Sequence, residues 1–373
     1  MKVKVHWLDN KKSLAPPSIE TVIFMPISMK GVDTWSLIVS GRLGKPGALF
    51  FIHILRRFSF MQALTLISTE GMSYEEWLSW RDKGIGGSDA SVICGLNKWK
   101  SPVELFMEKK GQLEPKEPGE AAYFGTLLEP LIRQEFTRRT GLEIAPVHAI
   151  LQHPQHQFML ANLDGIVQDP IHGKGVFEAK TASQFMAPQW KNGMLPDHYE
   201  VQVQHYLAVT GLSFAYIAVL IGGNTFKYFH IPRNDEVISL LVQLEENFWV
   251  NHVQANIPPE IDGSASSGEL LKRLYPNGKA NSCIELPEFA LELINQYEEA
   301  QADEAEVLVR KEYAANKLKE LLGENENGII NGRSVAWKSV NSERFNSKSF
   351  KKDHPDLFKQ YVEASRYRRF SIK

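Results

Sequence analysis

Asp164-Gly165 and, fourteen residues later, Glu178-Ala179-Lys180 are the residues of this chain best suited to do chemistry. They fall in two β-forming runs, 158–167 and 175–181, separated by the turn-like Gln168-Asp169-Pro170-Ile171-His172-Gly173, and read together as a hairpin. Side chains alternate across a strand, so Glu178 and Lys180 share a face, and Asp164 on the paired strand can meet them there. Two carboxylates and an ammonium at one sheet edge are costly unless something compensates them. A hard divalent cation does so, since Mg2+ uses one or two carboxylates with waters and substrate phosphates. The chemistry that follows is attack on a phosphate, with Lys180 holding or deprotonating the water and the metal neutralising charge. A lone Glu-x-Lys is usually an exposed ion pair of little consequence. The apolar setting Val176-Phe177-Glu178-Ala179 and the Asp-Gly partner point to a site instead.

Two helices are placed to complete it. Glu129 interrupts the apolar face of a helix predicted over 121–140, where Phe124, Leu128, Leu131, Ile132 and Phe136 recur at helical spacing and Gly141 is the stop. Pro130 removes a backbone donor and predicts a kink that aims the carboxylate inward. In Tyr199-Glu200-Val201-Gln202-Val203-Gln204-His205-Tyr206, residues Tyr199, Gln202 and Tyr206 occupy neighbouring rows of a helix predicted over 198–210. Tyr and Gln in place of Leu fit a helix lining a wet cleft. Taken alone, Glu129 also reads as a solvated helix residue, and the stripe as an ordinary amphipathic helix.

Around these lie the elements that must position them. Ser73 with Glu76 forms a capping box for a helix through about Arg81. The turn GIGGSDA, 84–90, enters a second helix, and Ser101-Pro102-Val103-Glu104 starts a third. A Gly/Pro/Glu/Lys loop covers 111–120. Strands are predicted at 213–222 and 225–231, then a helix at 234–255 and a Pro/Gly/Ser loop at 257–268. A long acidic helix at 287–322 reads as a packing helix of the same domain, with a coiled-coil partner surface as the alternative. A hairpin at 329–340 and the basic tail Arg366-Tyr367-Arg368-Arg369-Phe370 end the chain. Residues 1–60 are β-rich and different in character. They read either as a small β appendage or, slightly favoured, as upstream sequence attached by a wrongly chosen start, with Met61 opening the orderly part. The division is thus 1–60, a core over 61–260, and 261–373 belonging to the same domain.

Of 373 residues, 43% are hydrophobic and 23% charged, which fits an ordinary globular chain and excludes disorder and fibres. No apolar run nears the roughly 20 residues of a membrane helix, and no signal peptide is recognisable. Cys94 and Cys283 form no disulfide framework and hold no thiolate metal site by themselves. The expectation is a protein of the bacterial host cytoplasm with no membrane partner. The net charge of −2 hides a segregation: +6 over 1–60, −8 over 285–326 and +7 over 330–373. A polyanionic partner is therefore compatible with the balanced total.

The order GIGGSDA (84–90), GTLLEP (125–130), NLDGIV (162–167), FEAKT (177–181) and YEVQVQHY (199–206) resembles the YqaJ-like viral recombinase family. These are phage and prophage relatives of lambda exonuclease within the PD-(D/E)XK nuclease superfamily. The resemblance runs from about Met61 to the C-terminus and leaves 1–60 outside. It implies an α/β fold with a PD-(D/E)XK restriction-endonuclease-like core, a mixed β-sheet flanked by helices, with a helical and hairpin C-terminal extension. It implies that Asp164, Glu178 and the Ala179 carbonyl hold Mg2+, with Mn2+ an alternative and Glu129 joining through water. Lys180 would be the catalytic lysine, and Gln202 and Tyr199 the helix motif beside the site. The Trp77–Arg81 stretch and Ser88 resemble the grip on the 5′-phosphate, a role that suits Arg81 as a bidentate ligand and Ser88 as a donor near a helix start. The nominal Pro-Asp is Leu163-Asp164 here, which leaves the chemistry intact because proline is no ligand.

The implied activity is a 5′→3′ exonuclease on double-stranded DNA ends, leaving a 3′ single strand for a RecT-type single-strand annealing protein. A ring trimer is implied as the homo-oligomer. An endonuclease of the same fold is the enzyme alternative. A catalytically silent DNA-binding or recombination accessory module, using the basic tail, is the rival from another class. His148, His153 and His156 read as solvated or capping residues, Trp99 as a core edge rather than a base-stacking platform, and Cys94 as buried and inert.

Overall fold

The structure, a computed structural model, describes residues 63–114, 119–191 and 193–372, and before them the backbone of three strands. These are β1 (Ser18–Met29), β2 (Val32–Arg42) and β3 (Leu49–Arg56), an antiparallel sheet that includes the predicted runs at 21–26 and 35–39. The rest of 1–62, and 115–118 of the predicted loop, lie outside the described residues.

β4 (Leu64–Ser68) precedes α1 (Tyr74–Arg81), α2 (Gly87–Ile93), α3 (Pro102–Lys109) and the long α4 (Glu120–Thr140). The predicted caps are present. Ser73 Oγ accepts from the Glu76 N–H at 3.2 Å, and Ser101 Oγ from the Glu104 N–H at 3.4 Å. α4 stops at Gly141, which adopts the left-handed conformation at φ 73°. Then come β5 (Glu143–Ala145), β6 (Ala149–Gln152), β7 (Leu160–Asn162), β8 (Gly165–Asp169) and β9 (Gly173–Ala182). α5 (Asp197–Thr210), β10 (Phe214–Ile221), β11 (Thr225–Pro232) and α6 (Asp235–Phe248) follow.

The central sheet has the order β11-β10-β9-β8-β5 and is mixed: β9 and β10 run parallel, the other pairs antiparallel. A parallel pair needs a crossover, and α5 supplies it. Alternation along β10 divides the core. Ala215, Ile217 and Val219 face α5, burying Val203 and Leu207, while Ala218 joins Phe177 beneath Ile132 and Phe136 of α4. This is the predicted α/β class, a mixed sheet flanked by helices.

Three expectations need correction. The run 158–167 is two strands, because β7 pairs with β6 in a second sheet of order β4-β6-β7, while β8 pairs with β9. The chain changes sheets at Leu163-Asp164, a step that period-two alternation does not mark because both sheets share it. The helix predicted over 234–255 gives way after Phe248 to a π-helical turn, Trp249–Gln254. Trp99 is not a core edge: it is 64% exposed and stands edge-on to His198. No helix among the described residues is long and apolar enough to cross a membrane.

The chain divides into two compact units, Met1–Gly268 and Glu269–Lys373, where the sequence places a boundary at 260/261 and counts the later residues with the same domain. α7 (Ala265–Leu274) spans the division. The second unit holds α8 (Ala290–Leu322), the hairpin β12 (Asn327–Ile330) and β13 (Arg333–Ala336), and α9 (Ser347–Asp353) and α10 (Pro355–Gln360). Apolar residues along α8, among them Leu291, Leu293, Val307, Leu308 and Tyr313, are exposed. The basic tail folds back within this unit, with Phe370 edge-on to Tyr297.

Phe136 is the centre of the α4 side of the core, fully buried and in ring contact with Phe177, Tyr216 and Tyr228. Phe136→Ala is expected to destabilise the protein by about 3–5 kcal/mol, read as a lower denaturant midpoint at unchanged slope.

Candidate active site

The break between sheets makes the site. Asp164 sits just before β8, freed from either ladder, and its Oδ2 accepts the Ala179 N–H of β9 at 2.7 Å. One strand step away, Glu178 and Lys180 point to the α5 side of the sheet, as the i, i+2 spacing predicts. Glu178 is 3% exposed. Its Oε1 accepts from Lys180 Nζ at 2.6 Å and from Gln202 Nε2 at 2.7 Å. Gln202 Nε2 also approaches Tyr206 Oη at 3.0 Å, and Lys180 Nζ lies 5.0 Å from the centre of the Tyr199 ring. The predicted stripe of α5 is therefore at the site, but Gln202 and Tyr206 are buried rather than lining a wet cleft.

Glu129 comes to the same place from α4. It lines a cavity of about 390 Å3 together with Gly125, Asp164, Glu178, Lys180 and Tyr199. Its carboxylate is paired with Arg133 one helical turn on, at 2.5 Å, so it enters the site already partnered. A larger, more apolar cavity of about 560 Å3 lies against β5 and carries no such cluster. Chemistry, not volume, identifies the site.

The charges are out of balance. Burial, and then the Asp164 carboxylate, push the Glu178 carboxyl up to about 8. Burial also raises Asp164, and burial with the neighbouring Asp164 raises Glu129. Burial opposes the Lys180 ammonium, yet Glu178 and Asp164 outweigh it and its pKa rises. Every carboxyl is held toward its neutral form and the lysine toward its charged form, the pattern of a site short of positive charge. Glu178 Oε2 is buried without a hydrogen-bond partner. Among the described residues no group of three or more His, Cys, Asp or Glu is arranged to hold a metal.

Arg81 and Ser88 are also brought together. Arg81 Nη2 donates to Ser88 Oγ at 3.0 Å, and the guanidinium lies over the Trp77 ring at 4.7 Å. Trp77 Nε1 in turn donates to Asn162 Oδ1 at 3.3 Å. This corner adjoins the carboxylates because the glycine turn lies on α5: a Cβ on Gly87 would come within 2.5 Å of the Tyr206 ring and 3.0 Å of the Gln202 side chain. Only glycine fits there.

Arg133 carries a sequence signal of its own, its i+4 spacing from Glu129. Asp89, inside the glycine turn, pairs with Lys109 at 2.9 Å, and the sequence gives no hint of that partner. His153 Nδ1 accepts the N–H groups of Gln155 and His156 and caps a turn, as expected of it. Cys94 is half-buried, its thiol pushed up to about 11 by burial, which keeps it unreactive.

Residues 76–213 match the YqaJ-like viral recombinase domain. The chain is 40% identical over 315 residues to the uncharacterized protein YqaJ of Bacillus subtilis (strain 168), covering 84% of this chain and 98% of that one. It is 22% identical over 207 residues to an uncharacterized protein of Acanthamoeba polyphaga mimivirus, covering 52% of this chain and 37% of that one. Among solved structures, an alkaline exonuclease (LHK-Exo) from Laribacter hongkongensis is 23% identical, with 54% of this chain and 98% of that chain covered and a TM-score of 0.42.

The raised carboxyl of Glu178 has a consequence for stability. Between its unfolded value near 4.5 and about 8 the folded state binds the extra proton. That contribution is complete below pH 4.5 and is lost as pH rises through 8. In EDTA, urea unfolding of wild type at pH 5, 7 and 8.5 is expected to show a decline that Glu178→Gln largely removes.

Proposed function

The chain belongs to the YqaJ-like viral recombinase family, and on that footing we propose that it is a metal-dependent deoxyribonuclease, acting 5′→3′ from the ends of double-stranded DNA. The observation that carries this reading is the deficit of positive charge where Asp164, Glu178 and Glu129 surround Lys180. The donor set fits a hard cation: all oxygen, with the Glu178 Oε2 buried and unpartnered. Asp164, Glu178 and the Ala179 carbonyl would hold it, and Glu129, already paired with Arg133, would reach it through water. These residues would hold Mg2+, or Mn2+ in its place, which would supply charge neutralisation at the phosphate and activation of the attacking water.

The chain's own residues divide the remaining work. Lys180, kept protonated by the two carboxylates, is a donor rather than a base, and it orients the attacking water and meets charge developing on the phosphate oxygens. Gln202 fixes Glu178 by its amide N–H, and Tyr199 backs the lysine with its ring face. Arg81 and Ser88 hold the terminal 5′-phosphate by charge-assisted hydrogen bonds, which gives the enzyme its polarity. The product would be a 3′ single strand suited to a RecT-type annealing protein, and a ring trimer would keep the duplex engaged between steps.

The test is linear duplex DNA labelled at either 5′ or 3′ end, with Mg2+ or EDTA, for wild type and Lys180→Ala. Mononucleotide carrying the 5′ label is expected from wild type in Mg2+ alone, with the mutant slower by about 100-fold or more. Intact DNA from folded wild type under every condition would remove the nuclease assignment. Cleavage of a covalently closed circle would replace the exonuclease with an endonuclease.

A further inference from the structure

We infer that the buried Asp89–Lys109 pair is a positioning unit that keeps the Arg81 guanidinium available to a 5′-phosphate; the inference rests on the phosphate role proposed for Arg81 and Ser88. The geometry is a chain of contacts across three elements. Lys109, the last residue of α3, is almost entirely buried, with 3% of its side chain exposed. Its Nζ donates to the Arg81 carbonyl at 2.8 Å, capping the end of α1, and lies 2.9 Å from Asp89 Oδ2 in the first turn of α2. The same Oδ2 accepts the Gly86 N–H at 3.0 Å. One carboxylate oxygen is thus fully used, leaving Oδ1 to face Arg81.

That division of the carboxylate decides what Arg81 can do. A buried carboxylate with an arginine beside it takes the guanidinium in a bidentate grip when nothing else satisfies it. Here Arg81 Nη2 stands 3.6 Å from Asp89 Oδ1, beyond a charge-assisted hydrogen bond, and donates instead to Ser88 Oγ. The Arg81 side chain stays 24% exposed over the Trp77 ring. Lys109 therefore does two things: it fixes the backbone from which Arg81 springs, and it occupies the charge that would otherwise draw the guanidinium inward. Asp89 remains ionised, since Lys109, Arg81 and Lys100 together outweigh the cost of its burial. Lys100 is itself paired with Glu108, and Asp82 stands near both Arg81 and Lys109 without a contact to either side chain among those described.

The experiment measures kcat/KM on duplexes with a 5′-phosphate and with a 5′-hydroxyl, for wild type, Arg81→Ala, Lys109→Met and the double variant Asp89→Asn/Lys109→Met, each checked by thermal melting. Lys109→Met frees the Asp89 carboxylate to draw in Arg81 and is expected to lower the preference for the 5′-phosphate about 10-fold or more, with a smaller change on the 5′-hydroxyl duplex. The double variant removes the unpaired charge but keeps an acceptor for Gly86, and is expected to recover most of the preference. A folded Lys109→Met with unchanged preference, or a folded double variant that has lost it, overturns the assignment. A parallel loss on both duplexes overturns it too, as the mark of a purely structural role. Should Lys109→Met not fold, Lys109→Gln, which removes the charge but keeps a donor for the Arg81 carbonyl, takes its place with the same expected loss and the same overturning result. If Arg81→Ala keeps the wild-type preference, the phosphate role fails and this inference with it; a large effect of Arg81→Ala beside none of Lys109→Met removes the positioning role only.

Discussion

Glu178 stands almost wholly out of water between β9 and α5, beside a second carboxylate, where an isolated anion would cost several kcal/mol. Much of the surrounding structure answers that cost. Lys180 and Gln202 both donate to one of its oxygens, and Tyr206 stands behind the glutamine. α5 must be held for this to work. His205 does so from within: its two ring nitrogens face Glu245 of α6 and the Leu160 carbonyl of β7, both acceptors. The imidazole pKa rises because Glu245 and the Leu160 carbonyl, both within hydrogen-bond reach of its ring nitrogens, outweigh burial.

What the sequence could disclose followed from local periodicity. The i, i+2 spacing of Glu178 and Lys180 and the i+3, i+4 rows of α5 translate directly into shared faces, and the caps at Ser73 and Ser101 mark helix starts. Glu129 reaches the site on α4 one turn before the buried Ile132 and two before Phe136, although Phe124 and Leu131 of the predicted apolar face are exposed. These are short-range constraints, and short-range constraints are written in the residues themselves.

The remainder depends on packing between distant segments. The change of sheet at Leu163-Asp164 is invisible because both sheets demand the same alternation, yet it frees the Asp164 carboxylate. Lys109 meets Asp89 only because α3 folds back on the glycine turn, and no spacing encodes that. Trp99 looks like a core residue by type, but the Asn97 side chain accepts the N–H groups of Trp99 and Lys100 and turns the chain outward. Residue type biases burial, and a turn can override it.

The contact of Gly87 with Tyr206 joins two pieces of machinery that the sequence keeps more than 100 residues apart. With no room for even a methyl group, the glycine turn and α5 cannot slide independently. Close-packed interiors transmit displacement instead of absorbing it. The span from the Arg81 corner to the Glu178 carboxylate is then a fixed length of the molecule. On the exonuclease reading proposed above, a strand would be measured against that rigid gauge, and the size of each piece removed would belong to the protein, not to the strand.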